Sequence, residues 1–187
     1  MKKLKFKSLL IILLFTISFV GNIYSQTNDS EKKGTRTIYL IRHGHYDEAD
    51  ERDEYIGKGL TPLRIAQARL VASRLKGMPI EFSSLISSTM TRAKQTSQVI
   101  VNDFPEIVFE QSELIRECTP PTWREDVMAE TNNTEAEECV DNLEQAFQRY
   151  FIPSPVEKDW NDIIVCHGNV IRYFVTKKLK EEKIGEE

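Results

Sequence analysis

Thr37-Ile38-Tyr39-Leu40-Ile41 runs without a break into Arg42-His43-Gly44. A continuous run of apolar, aromatic and β-branched residues describes a strand covered on both faces, as in parallel sheets. It ends on Arg42 and His43, so the strand delivers both to one end of a sheet. The pattern returns far downstream, where Asp162-Ile163-Ile164-Val165-Cys166 leads into His167-Gly168. Ligands of open α/β sheets bind beyond the carboxyl ends of the strands. Two histidines that each close a buried strand are therefore expected to face one crevice.

The chain between them alternates. Thr61 is placed to cap a helix, Pro62 suits its first position and Gly77 its end, with Leu63, Ala66, Leu70 and Leu75 as the buried stripe. Ser84-Leu85-Ile86-Ser87 reads as a short strand, residues 91–102 as a helix, and Ile107-Val108-Phe109 as a third strand leading through Leu114-Ile115 to Arg116-Glu117. Residues 45–59, rich in Asp and Glu, read as an exposed loop. Residues 118–133, with Pro120, Pro121 and Trp123, form an excursion in which Trp123 either covers the site or fills a satellite cluster. Thr134-Glu135-Ala136-Glu137 matches a capping box, and Val140, Leu143, Phe147 and Tyr150 continue it as an amphipathic helix. Residues 170–179 make the last helix. This alternation predicts an α/β domain, a three-layer α/β/α sandwich on a mainly parallel sheet.

With 187 residues the chain can bury one sizeable core. Its start is distinct: Lys2, Lys3, Lys5 and Lys7 precede the apolar run Leu9 to Val20, followed by Gly21-Asn22-Ile23-Tyr24-Ser25. A basic segment, a short apolar segment and a small residue at a cleavage point describe a secretory signal peptide over residues 1–25. The run falls short of the roughly 20 apolar residues of a spanning helix. The expected outcome is export of the body, periplasmic or secreted, an uncleaved anchor being the alternative. Residues 26–36 read as a polar linker, and 37–187 as the domain. Loss of residues 1–25 moves the formal charge from −4 to −8, which argues against a nucleic-acid partner. Cys118, Cys139 and Cys166 lack the CxxC spacing of zinc ribbons or thioredoxins. They read as unpaired buried thiols, Cys118 with Cys139 being the pair a disulfide would use.

Arg92 lies in the first turn of a helix that follows a strand, near backbone N–H groups that favour anions. Two arginines and two histidines converging in an acidic body suit a phosphoryl group, whose oxygens need charge compensation. His43-Gly44-His45-Tyr46-Asp47 also has the H-x-H-x-D spacing of a metal site, but three histidines in all are few for a two-metal hydrolase. The expectation is a site with neither metal nor cofactor. His45 is expected at the substrate mouth or simply exposed.

Arg42-His43-Gly44, Ser88-Thr89-Met90-Thr91-Arg92-Ala93, Leu114-Ile115-Arg116-Glu117 and Cys166-His167-Gly168-Asn169-Val170-Ile171-Arg172-Tyr173 together resemble the histidine phosphatase superfamily, in its phosphoglycerate-mutase-like branch. Within it the chain looks most like the mitochondrial phosphoglycerate-mutase-family protein serine/threonine phosphatases, which share a Tyr three residues after the nucleophile, here Tyr46. The resemblance spans about residues 37 to 180. It implies that His43 is the nucleophile and forms a phosphohistidine, that Arg42, Arg92 and His167 hold the phosphoryl oxygens, and that Glu117 is general acid and then base. His45, Tyr46 and Asn169 are the further substrate-binding candidates. The relatives continue into another strand, so the sheet is expected to lack a C-terminal edge strand. The mutase-type relatives carry insertions that are missing here, which favours a hydrolase over a phosphotransferase; a non-catalytic phosphate-binding protein on the same fold is the other alternative. The substrate is expected to be a phosphorylated protein or small molecule.

Overall fold

The computed structural model describes residues 34–154 and 157–184. The leader over 1–25 and most of the linker lie outside the described residues. Arg36, placed at the linker's end by sequence, is instead the first residue of strand β1 (Arg36–Arg42). Helix α1 (Pro62–Lys76), β2 (Ser84–Ser88), α2 (Thr91–Val101), β3 (Val108–Ser112) and a single 3₁₀ turn (Glu113–Ile115) follow in that order. Then come a short helix α3 (Glu125–Glu130), the long α4 (Asn133–Tyr150), β4 (Trp160–Cys166) and α5 (Gly168–Ile184). The sheet has the order β1-β4-β2-β3, with every pairing parallel. β1, at one edge, has β4 as its neighbour among the described strands.

Three layers result because alternate residues of each strand face opposite ways. Ile86, Ile164 and Cys166 pack with Leu143, Ala146, Phe147 and Tyr150 of α4 and with Val170 and Phe174 of α5. Leu85, Ile163 and Val165 point the other way, onto Ala72 and Leu75 of α1 and Ala93 and Ile100 of α2. β4, central and buried on both faces, has no solvent-facing register, which is why its sequence reads as an unbroken apolar run.

Three local expectations are corrected. On α1 the buried residues are Ala68, Ala72 and Leu75, while Leu63 and Leu70 are 66% and 71% exposed. Large apolar residues surround this helix, so its periodicity selects no face; small alanines go inward, where the helix meets α2 and the sheet. The N-terminus of α4 is capped by Asn132, whose side chain accepts from the Thr134 N–H at 2.9 Å, so the expected Thr134–Glu137 box is not the cap. Trp123 is 89% exposed and so fills no satellite cluster.

The end of the sheet away from the histidines is tied by a buried charge. Asp162, 1% exposed, accepts on Oδ2 from Arg36 Nε at 2.7 Å and on Oδ1 from Trp160 Nε1 at 2.8 Å and Ser84 Oγ at 2.5 Å. Arg36 Nη2 lies 2.6 Å from the same Oδ2. One carboxylate thus joins β1, β4 and β2. Removing it strands the Arg36 guanidinium, which is only 14% exposed, and breaking such a pair costs about 3 kcal/mol. Urea denaturation of Asp162→Ala is expected to show that loss; an unchanged midpoint with an unchanged slope contradicts it.

Candidate active site

The register of β1 on β4 sets Arg42 opposite Cys166, and the His43 N–H donates to the Cys166 carbonyl at 3.1 Å. His43 and His167 therefore leave adjacent strands at the same level, with ring centroids 4.9 Å apart. Both are buried. β2 lies on the other side of β4 and ends in the turn to α2, whose second residue is Arg92. Glu117 arrives from the segment that follows β3 and the 3₁₀ turn.

The tautomer of His43 is set by its partners. Nδ1 lies 2.5 Å from the Gly44 carbonyl oxygen, an acceptor only, so Nδ1 carries the proton. Nε2 accepts from Arg92 Nε at 3.0 Å and so presents a lone pair. Burial lowers the His43 pKa, the Gly44 bond opposes this, and the neighbouring His167 and Arg92 charges lower it further, to about 4. The ring stays neutral and nucleophilic well below the pH at which a free imidazole protonates.

His167 is fully buried. Its Nε2 lies 2.8 Å from Ser88 Oγ. Its Nδ1 lies 3.2 Å from Glu117 Oε2, outside hydrogen-bonding geometry, which leaves Nδ1 a buried polar atom without a hydrogen-bond partner. Burial lowers the pKa of this imidazole too. Glu117 Oε2 also lies 3.6 Å from Arg92 Nη2. Burial alone would raise the Glu117 pKa; contact with His167 and the positive neighbours outweigh it and hold the carboxyl below its ordinary value. His43, Glu117 and His167 thus set three potential ligand atoms within 4.8 Å of one another. The H-x-H-x-D spacing does not build that group, since exposed His45 stacks on Tyr46 instead.

Arg42 is exposed, and its guanidinium lies over Gly168 at the start of α5, where an added Cβ would be 3.5 Å from Cζ. It lines, with His43, Tyr46, Arg92, Glu117 and Asn169, a cavity of about 740 Å³. His45 lines a neighbouring space of about 370 Å³ with Arg64 and Gln67. Six of the eight expected site residues thus line this cavity; His45 borders the neighbouring space, and His167 lines neither, its ring 4.9 Å from that of His43. The Tyr46 ring lies 5.2 Å from Arg92 Cζ.

Sequence reading missed three contributors. Ser88 opens the motif that contains Arg92, yet its bond to His167 depends on strand order. Arg116 Nη1 donates to Thr89 Oγ1 at 3.0 Å and Nη2 to the Tyr55 carbonyl, and the guanidinium stacks on the Tyr55 ring. The 45–59 loop is no free excursion: Thr91 N–H donates to the Ile56 carbonyl at 3.0 Å, and Gly57, at φ +78°, passes so near the site that a Cβ there would meet Arg92 Nη1 at 2.9 Å. Only glycine combines that left-handed backbone with that approach. The expected pair of unpaired thiols is also corrected: Cys118 and Cys139 form a disulfide. Cys166 is free and buried, and burial pushes its thiol up to about 12, so it stays protonated.

The sequence of residues 38–183 matches the histidine phosphatase superfamily, branch 1. The chain belongs to that superfamily. It is 35% identical over 156 residues to the mitochondrial serine/threonine-protein phosphatase PGAM5 of Xenopus tropicalis, covering 82% of this chain and 55% of the relative. Against the human PGAM5 it is 33% identical over 163 residues, covering 83% and 54%. The chain thus spans about half the length of the curated relatives it matches. Among solved structures, a Plasmodium falciparum phosphoglycerate mutase superposes with a TM-score of 0.57 at 24% identity, covering 79% of this chain and 70% of that one; this similarity is one of fold. The relatives correct the expected location: these phosphatases are mitochondrial, which overturns the reading of a periplasmic or secreted protein. Among the described residues no helix is long and apolar enough to cross a membrane.

A histidine titration by NMR is expected to leave the His43 ring neutral as pH falls through 6.5, with its midpoint near 4. A midpoint at the free-imidazole value contradicts the buried, cation-flanked environment.

Proposed function

We propose that this chain hydrolyses phosphate monoesters through a phosphohistidine on His43. The observation that carries the reading is the fixed polarity of that ring, with Nδ1 bonded to the Gly44 carbonyl and the Nε2 lone pair turned to Arg92, in a cluster with His167 and Glu117. Substrate arrival exchanges the Arg92–His43 bond for bonds from Arg92 to the phosphoryl oxygens, which frees the lone pair. Arg42 and the unpartnered Nδ1 of His167 supply further charge and donors to those oxygens. Nε2 attacks phosphorus and the bond to the leaving oxygen breaks.

Glu117 rests as a carboxylate between the Arg92 guanidinium and the His167 imidazole. A phosphoryl group draws Arg92 and His167 to itself and adds negative charge beside Glu117, and both changes raise its affinity for a proton. Glu117 then protonates the leaving alkoxide. In the second half it takes a proton from water as the oxygen attacks phosphorus, breaking the P–Nε2 bond and releasing phosphate. Asn169, Tyr46 and His45 line the approach and contact the rest of the ester. The reading of a hydrolase is supported by the relatives, which are named as phosphatases; a mutase is not favoured. The substrate is a phosphorylated serine or threonine in a protein, the class in the relatives' name, with small phosphate esters as the competing class.

Purified protein is expected to turn over p-nitrophenyl phosphate and a phosphoserine peptide, and His43→Ala to lose activity by about 10⁴-fold or more. Equal turnover by the variant refutes the nucleophile. Because three ligand atoms also converge here, activity abolished by a chelator and restored by zinc would reassign the site to metal chemistry.

A further inference from the structure

Glu117 has the most demanding task in the proposed reaction and the least local support. It lies in neither a helix nor a strand, and among the described residues no backbone hydrogen bond holds it or Cys118. Its carboxylate must nevertheless remain within 3.6 Å of Arg92 and 3.2 Å of His167. What fixes it comes from the residues on either side. Arg116 is held by Thr89 and Tyr55. Cys118 is bonded to Cys139 of α4, a residue 2% exposed within the core cluster that also holds Cys166 and Val170, the strand and helix flanking His167.

Resting on the phosphatase reading above, we infer that the Cys118–Cys139 disulfide is a positioning element for Glu117, so that its reduction weakens protonation of the leaving group while sparing the nucleophile and the phosphate-binding groups. The bond anchors the residue directly after the acid to the same rigid core that carries His167. His43 and His167 directly follow β1 and β4, Arg92 sits on α2, and none of the three lies on a cross-linked segment. Reduction by a dithiol cleaves the S–S bond: two electrons and two protons pass to the protein sulfurs, giving two thiols, and the reagent leaves as its own disulfide. The Glu117 segment then swings on Arg116 and on the Arg172 Nη2 bond to the Pro120 carbonyl, at 3.3 Å.

The readout separates acid catalysis from general damage. An aryl leaving group such as p-nitrophenolate departs with little need of a proton, whereas the alkoxide of phosphoserine needs one. kcat/KM for p-nitrophenyl phosphate and for a phosphoserine peptide is measured on the full chain, oxidised and then treated with dithiothreitol, with thiol alkylation confirming the redox state. The alkyl-to-aryl ratio is expected to fall about tenfold or more on reduction, while the aryl value stays within about twofold. Cys118→Ala/Cys139→Ala should show the low ratio with no response to dithiothreitol; should that variant not fold, the reduced wild type carries the test. In Glu117→Gln the ratio starts low, and reduction is expected to leave it unchanged.

An unchanged ratio in reduced wild type overturns the proposal. So does an equal fall for both substrates, a further fall in Glu117→Gln, or unfolding of the reduced chain in circular dichroism, since the bond then serves the fold rather than the acid. An oxidised chain that turns over neither ester overturns the phosphatase reading and this inference with it, whereas turnover that ignores reduction leaves that reading intact.

Discussion

The parallel pairing of β1 with β4 is the constraint on which the site depends. Register in a sheet is all-or-none: a slip of one residue turns every side chain to the opposite face. Here β4 is buried on two sides and β1 is partly covered on both, and the pairing that sets Arg42 opposite Cys166 also sets His43 beside His167. A one-residue slip would separate the imidazoles and drive Arg36 away from Asp162 at the other end. The ion pair at one end and the histidine pair at the other are two consequences of a single alignment.

The charge pattern follows from where that alignment ends. An acidic chain gathers two imidazoles and the Arg92 guanidinium in a largely buried region with one carboxylate among them. Burial lowers the tendency of both histidines to carry positive charge, and the Arg92 guanidinium adds to it, against the opposing pull of Glu117. The outcome is neutral imidazoles, a permanent guanidinium and an ionised Glu117, an arrangement that favours an incoming dianion over any neutral ligand. Helix N-termini at α2 and α5 add their backbone N–H groups on the same side.

Much of this was legible in the sequence, for a physical reason. β1 and β4 are apolar on both faces, so their extent and their end points are written in consecutive residues, and His43 and His167 could be placed at a common edge without knowing strand order. The residues of the proposed chemistry lie in short blocks around those ends. What could not be read depends on long-range contact. The face α1 buries was misjudged because its leucines point all round, and Ala68 and Ala72 are inside by virtue of what they meet. The Cys118–Cys139 bond, the clasp of Arg116 on the loop, and the partners of Asp162 join segments that no local pattern connects. Nothing in the local sequence sets Gly57 apart from the rest of its loop; its constraint comes from Arg92, 35 residues on.

The central claim is that His43 Nε2 takes a covalent bond to phosphorus. Rapid mixing of Glu117→Gln, in which the second half-reaction is slowed, with p-nitrophenyl phosphate, followed by peptide mass spectrometry under alkaline quench, tests it directly. The account predicts a stoichiometric, acid-labile phosphate on the peptide that contains His43, absent from the same peptide of the His43→Ala/Glu117→Gln chain. Release of nitrophenol with the phosphate found on no histidine, or on His167 instead, would contradict it.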